Sequence, residues 1–574
     1  MYPDGESDGL SEQGSDCEDE EDSSSGYSTD EKHTNLPKVT LTSLTETGQD
    51  ESTIPVLDQR SYTGRNVIPS ALANTLCADL GVNGVLEELN TTLGTSYPLD
   101  SVISILESYI AQNVDFGTAY AYLRQYWNDI PTVEDKLRTR EVEDREMRLN
   151  VLVDGRITKR DMSPRRVWDL CANRVVPYWV ACHKPCGISH AWVDEKDRVN
   201  MMTSINRGEW PVPMPNDVHL DLIRIEMLNA RTWSDSHLKP EYAWLDVLCL
   251  RQEGGKNEHL RLDEWKLDVP TIGAVYRSPH VVYYLNGLGR PLCLTPGYFE
   301  SDRCWFRRAW TLQETNPFPI IGGETGKDVM DKQVHSKFIE RLQSFMGQIV
   351  PSIFHFLSEM KSRVSTKPLD KIAGLVYPLR TGFLPIYDAK QSPAGAWEVL
   401  VNDIDTEFRA ELLFIYPEPG DRCRYWRPSW EQLMVNKAIP PGVNGISGRV
   451  HRMHHSDADY YEGDFIELGN VRGLGEIPNE PMHRQGEVVI NDANGVPHTL
   501  KIVADHTYPI PDGFYTLLHC TGILPRLLQP DCWVVGHIRQ DGLFEKLSVF
   551  RSARDEEADL DYLALNSRVK TFLC

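Results

Sequence analysis

Apolar positions recur every three or four residues between residues 64 and 150. The sets are Leu72/Leu76/Leu80, Leu86/Leu89/Leu93, Ile103/Leu106/Ile110 and Phe116/Tyr120/Leu123/Trp127. That period predicts a small helical subdomain over residues 63–150. Its last stretch, residues 134–149, sets Glu134/Arg138, Glu141/Arg145 and Asp144/Arg148 at i,i+4, the mark of a solvated helix. From about residue 164 the pattern changes to short apolar runs separated by helical periods. Strands are predicted within residues 177–189, 242–250, 280–285 and 318–321. Helices are predicted around Leu220, Ile223 and Met227, over residues 264–276 despite Pro270, and over residues 305–314. Strands alternating with helices predict an α/β unit: an open parallel sheet with helices on both faces. Ligands of such sheets bind at the carboxyl ends of the strands, which would bring Ser189, His190, Asp246 and Asn286 to one rim.

Past a further helical region at residues 336–360, the period changes again after residue 430. Short alternating runs occupy residues 465–468, 487–490, 499–503, 514–519, 533–538 and 544–550, with Asn494-Gly495 and Asp541-Gly542 as hairpin turns. They predict a small antiparallel β module over residues 431–574. At the other end, residues 1–62 read as a disordered acidic tail. The first 60 residues carry 16 acidic and three basic side chains, against a net charge of −25 for the whole chain. With no basic footprint, nucleic acid is not an expected partner. Ser15, followed by Asp16 and Glu18, is a candidate for an acid-directed kinase. No apolar run approaches the eighteen or so residues of a spanning helix, so no membrane span is expected. The 12 cysteines lack framework spacing and no secretion signal accompanies them, which points to a reducing, cytoplasmic setting. Cys182-His183-Lys184-Pro185-Cys186, with His190 close behind, lacks the second ligand pair of structural zinc, so no metal is expected.

The densest chemistry lies in Cys304-Trp305-Phe306-Arg307-Arg308-Ala309-Trp310-Thr311-Leu312-Gln313-Glu314. As a helix it would place Arg307, Trp310 and Glu314 on one face, and Trp305, Ala309 and Leu312 on a core-directed face. The first face suits either a pocket wall or a structural Arg/Glu pair. Upstream lie Gly187-Ile188-Ser189-His190-Ala191-Trp192 and Tyr242-Ala243-Trp244-Leu245-Asp246-Val247-Leu248-Cys249-Leu250-Arg251-Gln252. In this order the three blocks resemble the fungal heterokaryon incompatibility (HET) domain, with its A-L-S-Y/H-x-W-G, W-I/L-D-x-L/I-C-I-N-Q and W-x-x-R-A/G-W-T-L-Q-E. Val193 and Leu250-Arg251 depart from that pattern, as do Trp265 and Asp268 in a fourth block. Lys367-Pro368-Leu369-Asp370-Lys371 and Trp426-Arg427-Pro428-Ser429-Trp430 extend the resemblance over residues 164–430. It implies a fungal protein of nonself recognition and programmed cell death.

Trp310-Thr311-Leu312-Gln313-Glu314 also resembles the W-C-L-x-E element of plant TIR domains, and Ile188-Ser189-His190 with Asp194 and Arg198 resembles their first strand and loop. That resemblance implies a TIR/flavodoxin-like sheet and Glu314 as the catalytic residue for releasing nicotinamide from NAD, which would be a substrate, with no cofactor. Physically, N-glycosidic cleavage passes through an oxocarbenium-like state that one carboxylate can stabilise. Arg307 or Arg198 would pair with the pyrophosphate. Asp246 would bind a ribose hydroxyl or cap its strand, and Ser189, His190, Trp192 and Trp310 would complete the substrate site. No Gly-rich dinucleotide or phosphate loop follows a predicted strand. The alternative is a non-enzymatic signalling module that acts by self-assembly on a protein trigger; if the segment before residue 150 or the β module after 430 restrains the central unit, residues 160–430 alone should be more toxic in cells than the full chain.

Overall fold

The computed structural model describes residues 36–574 except 182, 232–237, 239, 317, 327–329, 347–351, 422–423, 436–445, 454–457, 476–482, 493, 522–530 and 554–567. The acidic run of residues 16–22, the Ser15 site and Cys182 lie outside the described residues. The chain is mixed α/β. Six strands, β1 (Arg166–Asp169), β2 (Arg174–Pro177), β3 (Cys186–His190), β4 (Tyr242–Leu245), β5 (Val281–Tyr284) and β6 (Pro319–Ile321), form one sheet in the order β6-β5-β3-β4-β1-β2. Strands β3 to β6 run parallel, whereas β1 and β2 are antiparallel at the β4 edge. The expected all-parallel sheet is therefore a mixed one. The reason is a hairpin whose turn carries no glycine: the buried Asp169 carboxylate accepts the Cys171 and Ala172 N–H groups at 2.9 Å, and Asn173 takes φ 52°.

Register aligns Gly187, Trp244 and Val281, so these residues share a sheet face with Ser189 and Tyr283. Tyr276 packs on that face, its ring 5.8 Å from Trp244 at 89° and its hydroxyl donating to the Ile188 carbonyl at 3.3 Å. Gly187 is what admits it, since a Cβ there would lie 3.1 Å from the Tyr276 ring. On the opposite face the Tyr284 hydroxyl donates to Glu226 at 2.8 Å, on the Leu220–Asn229 helix. Helical segments thus lie against both faces.

Three elements differ from their sequence patterns. The apolar run at 242–250 is strand only to Leu245 and then turns into the short Asp246–Cys249 helix. The helix expected over 264–276 is two, Arg261–Asp268 and Ile272–Tyr276, parted around Pro270, which has no N–H to continue the ladder. Residues 305–314 form no α-helix. They make two 3₁₀ turns, Trp305–Arg307 and Trp310–Leu312, separated by an extended Arg308. There the backbone leaves the helical path to form a parallel bridge with Val364: Ala309 N–H donates to the Val364 carbonyl at 3.0 Å, and Val364 N–H to the Arg307 carbonyl at 2.5 Å.

Residues 36–62, expected to be disordered, are ordered. Val39–Thr42 pairs with Ser61–Gly64, Leu41, Ile54 and Val56 are buried, and Gln59 donates to Glu226 at 2.7 Å. One apolar core runs from Leu41 through the helical segment and the sheet to Phe338, with no break near residue 150. A second runs from Val151 to Leu573 and takes in both the 353–433 helices and the C-terminal strands. Those strands are β7 (Asp459–Arg472), β8 (Arg484–Asn491), β9 (Pro497–Ala504), β10 (Gly513–Cys520), β11 (Cys532–Ile538) and β12 (Phe544–Ser552). Their antiparallel pairings close in a ring, β7-β8-β9-β12-β11-β10-β7. Alternation divides the two faces. Leu517, Trp533 and Val535 fill a third core, while Leu518, Val534 and Val549 pack on the helices. Among the described residues no helix is long and apolar enough to cross a membrane.

Two buried groups make stability depend on pH. Glu411 accepts from Ser352 Oγ and Ile353 N–H, each at 2.7 Å, and burial pushes its carboxyl up to about 7. Burial works against a charged His519 ring, but Asp464 at 3.0 Å and Asp531 at 3.4 Å outweigh it and raise its pKa. An acid raised on folding costs stability as it ionises, and a histidine raised on folding loses its contribution as it discharges. Both therefore lower stability as pH rises. The melting temperature should fall from pH 4.5 to 7 in the native protein and fall less steeply over that span in Glu411→Gln. An equally steep fall in both would show that Glu411 does not titrate there.

Candidate functional site

Strand β3 ends at His190 and β4 at Leu245, and His190, Trp192, Asp246 and Val247 at these two ends line a pocket of about 230 Å³. Glu314 reaches it from the second 3₁₀ turn. Its Oε2 accepts from Ser189 Oγ at 2.5 Å, and Ser189 in turn accepts from the Trp305 indole at 2.7 Å. The Glu314 backbone carbonyl is held by the Tyr283 hydroxyl at 2.6 Å. Glu314 is 8% exposed. Burial pushes its carboxyl above the usual range, an effect that the Arg308 charge and the Ser189 hydroxyl only partly offset.

Asp246 sits differently. It opens a short helix, accepts the Val247 N–H at 2.7 Å, and faces His190 Nε2 at 3.0 Å. Burial would raise it, but His190, the Val247 N–H and Arg308 together hold its carboxyl below the usual range. Two carboxylates on one rim thus have pKa values displaced in opposite directions, the environment that separates a charged role from a protonated one. The Arg308 charge lowers the pKa of both. Arg308 donates to the His190 carbonyl at 2.8 Å and stands 5.1 Å over the Trp192 ring. Among the described residues Glu314 makes no ion pair within 4.0 Å, so Arg308 acts on it through its field.

The residues singled out from sequence are distributed as follows. His190, Trp192, Asp246, Trp310 and Glu314 line the pocket, and Ser189 stands behind Glu314. Arg198 lies outside that lining, 5.5 Å over Trp192. Arg307 points away: it donates to the Glu300 carbonyl and lies 3.2 Å from Asp302. A helical period had selected Arg307, whereas the kink at Arg308 turns that neighbour inward instead. The signal was present in the third block, whose single arginine, three residues after the first tryptophan, aligns with Arg308. Asn286 is bonded to the Pro291 carbonyl at 3.2 Å and does not line the pocket. Sequence reasoning also missed Asp370, Tyr387 and Arg363. Arg363, 1% exposed, donates to the Arg308 carbonyl and to Thr311 Oγ1, each at 2.8 Å. Among the described residues no group of three or more acidic, His or Cys side chains is arranged for a metal ion.

No protein-family model, curated protein or solved structure matches this chain.

A buried acid with a raised pKa destabilises the fold once ionised. Glu314→Gln should therefore melt higher than the native protein at pH 8, by about 1 °C for each kcal/mol recovered in a chain of this length, and the gap should close toward pH 4.5. A lower melting temperature for Glu314→Gln at pH 8 would instead show that the ionised carboxylate stabilises the fold through the Ser189 hydrogen bond and the Arg308 charge.

Proposed function

We propose that residues 164–430 carry a HET-like module of fungal nonself recognition and programmed cell death, and that it acts in the cytoplasm by cleaving nicotinamide from NAD at Glu314. One observation carries this reading. Three separate sequence blocks send Ser189, His190 and Trp192, then Asp246, then Arg308, Trp310 and Glu314, to one rim at the carboxyl ends of parallel strands. Numbered along the chain, the four parallel strands lie in the order 2-1-3-4. That order agrees with a TIR/flavodoxin-like sheet, in which this rim is the ligand-binding edge.

In the proposed reaction the C1′–N bond breaks and its electron pair leaves with the pyridine nitrogen, so nicotinamide departs neutral. Positive charge develops on C1′ and the ring oxygen, and the Glu314 carboxylate stabilises it. Water adds at C1′ and one proton is released. Glu314 must be ionised for this, so activity should rise with pH through its raised pKa. Arg308 supports the ionised form through its charge.

A non-enzymatic module acting by self-assembly is the second reading, favoured by one feature: the Ser189–Glu314 hydrogen bond also ties β3 to the 305–314 segment. The discriminating experiment is nicotinamide release from NAD by the whole protein at several concentrations. Under the enzymatic reading, release rises steeply with concentration, falls roughly 100-fold or more in Glu314→Gln and about tenfold in Arg308→Ala, and stays near native in Arg307→Ala. No release from folded, concentrated protein would leave the assembly module.

A further inference from the structure

The aromatic rings of the pocket fall into two groups. Trp192 lies beneath the Arg308 and Arg198 guanidinium groups, and Trp265 beneath Arg261 at 5.1 Å. Trp310 and Tyr387 differ. Their centroids are 6.0 Å apart at 48°, and among the described residues no cation lies over either ring. Behind both stands Asp370, 7% exposed, in the first turn of the Pro368–Ala373 helix. The Tyr387 hydroxyl donates to its Oδ1 at 2.8 Å, and the Trp310 side chain acts on the same carboxyl, partly offsetting the rise in pKa that burial causes. A carboxylate that holds the Tyr387 hydroxyl beside the Trp310 ring places negative charge next to bare π faces.

Charge within the pocket is layered. Asp246, Glu314 and Asp370 all line it. The inner cation, Arg308, is already engaged with the His190 carbonyl and the Trp192 ring. The remaining cation of the lining, Lys367, is exposed and marks the mouth. The volume, about 230 Å³, lies below the roughly 300–1,000 Å³ of sites that enclose a drug-sized ligand. It suits a ring with its sugar and leaves phosphate groups outside.

We infer that the pocket holds a flat cationic nitrogen heterocycle against the Trp310–Tyr387 wall, that Asp370 is the positioning residue of this wall, and that Lys367 meets a phosphate at the mouth. The inference rests on the NAD reading only for naming the heterocycle as a pyridinium; the preference for a cation follows from the rings and carboxylates themselves.

The test uses the full chain and two small probes of nearly equal shape, N-methylnicotinamidium, a fixed cation, and nicotinamide, which is neutral. Calorimetry should give at least about fivefold tighter binding of the cation. Asp370→Asn keeps an acceptor for the rings and removes the charge, so it should weaken the cation and leave nicotinamide within about twofold. Asp370→Ala should weaken both. Lys367→Ala, at an exposed side chain, should weaken nicotinamide mononucleotide several-fold without altering the fixed cation. Equal affinity for the two probes, no binding of either by folded protein, or an unchanged cation affinity in Asp370→Asn would overturn the inference, and an unchanged mononucleotide affinity in Lys367→Ala would overturn the phosphate assignment. Cation preference without nicotinamide release from NAD would keep this inference and end the hydrolase reading, whereas release without the preference would do the reverse.

Discussion

The Glu314 carboxylate is buried at a sheet rim with a hydroxyl, rather than a cation, as its direct partner, and much of the surrounding structure exists to hold it there. A serine hydroxyl has one proton to give. The Trp305 indole donates to Ser189 Oγ and so occupies an acceptor position, which leaves the hydroxyl proton aimed at Glu314. Tyr283 fixes the Glu314 backbone from β5. Strands β3 and β5 and the 3₁₀ segment are thereby tied at a single point, and Ser189 and Tyr283 reach it because parallel register puts them on one face. Burial without an ion pair also explains why the carboxyl is displaced upward while Asp246, opposite His190, is displaced downward.

The turn that carries Glu314 does not stand on the sheet alone. Arg308 would otherwise leave its carbonyl without a helical partner; instead Arg363 donates to that carbonyl, and Val364 forms a backbone bridge beside it. Arg363 closes the Ile353–Ser362 helix, whose other end is capped through Ser352 and Glu411. Glu411 belongs to the Thr406–Phe414 helix, and Lys546 of β12 donates to the Tyr416 carbonyl just beyond it at 2.6 Å. Buried polar contacts, joined through two helices, therefore link the ring of C-terminal strands to the segment that carries Glu314. The second apolar core spans the same elements, so the antiparallel β module shares its core with the helices beside the site.

How much of this was legible in the sequence depends on whether local or distant contacts set each element. The six C-terminal apolar runs each fall within β7 to β12, because period-2 alternation matches a sheet with two different apolar environments, and Gly542 adopts the positive φ its turn requires. The Leu220–Asn229 helix and β5 were equally plain. The β1–β2 hairpin was hidden because its turn relies on Asp169 and Asn173 in place of glycine. The 305–314 segment was misread for a deeper reason: local spacing favours a helix there, but hydrogen bonds to Val364, over fifty residues away, pull Arg308 into an extended conformation. Ser189, His190, Trp192, Asp246, Trp310 and Glu314, which the blocks carry, reached the rim or the side chain behind it, whereas Arg198, taken from the TIR-like loop, and Arg307, taken from helical periodicity alone, did not. Asp370 lay in a downstream block that assigned it no site role, and Tyr387 lay in no block at all.

The physical argument between an enzyme and a passive module turns on the cost of this arrangement. A structural role for Glu314 would be served better by an amide, which accepts the Ser189 proton as well and carries no charge into the interior. Direct pairing with Arg308 would also lower the cost, yet the guanidinium is committed to the His190 carbonyl and the Trp192 face. The fold therefore keeps a charge partner close without letting it neutralise the carboxylate. Such spacing is of little use to an interface, where desolvated and unpaired acids weaken association. It suits a site in which positive charge arrives with the ligand or develops on it, because the carboxylate's field is then free to act on that charge.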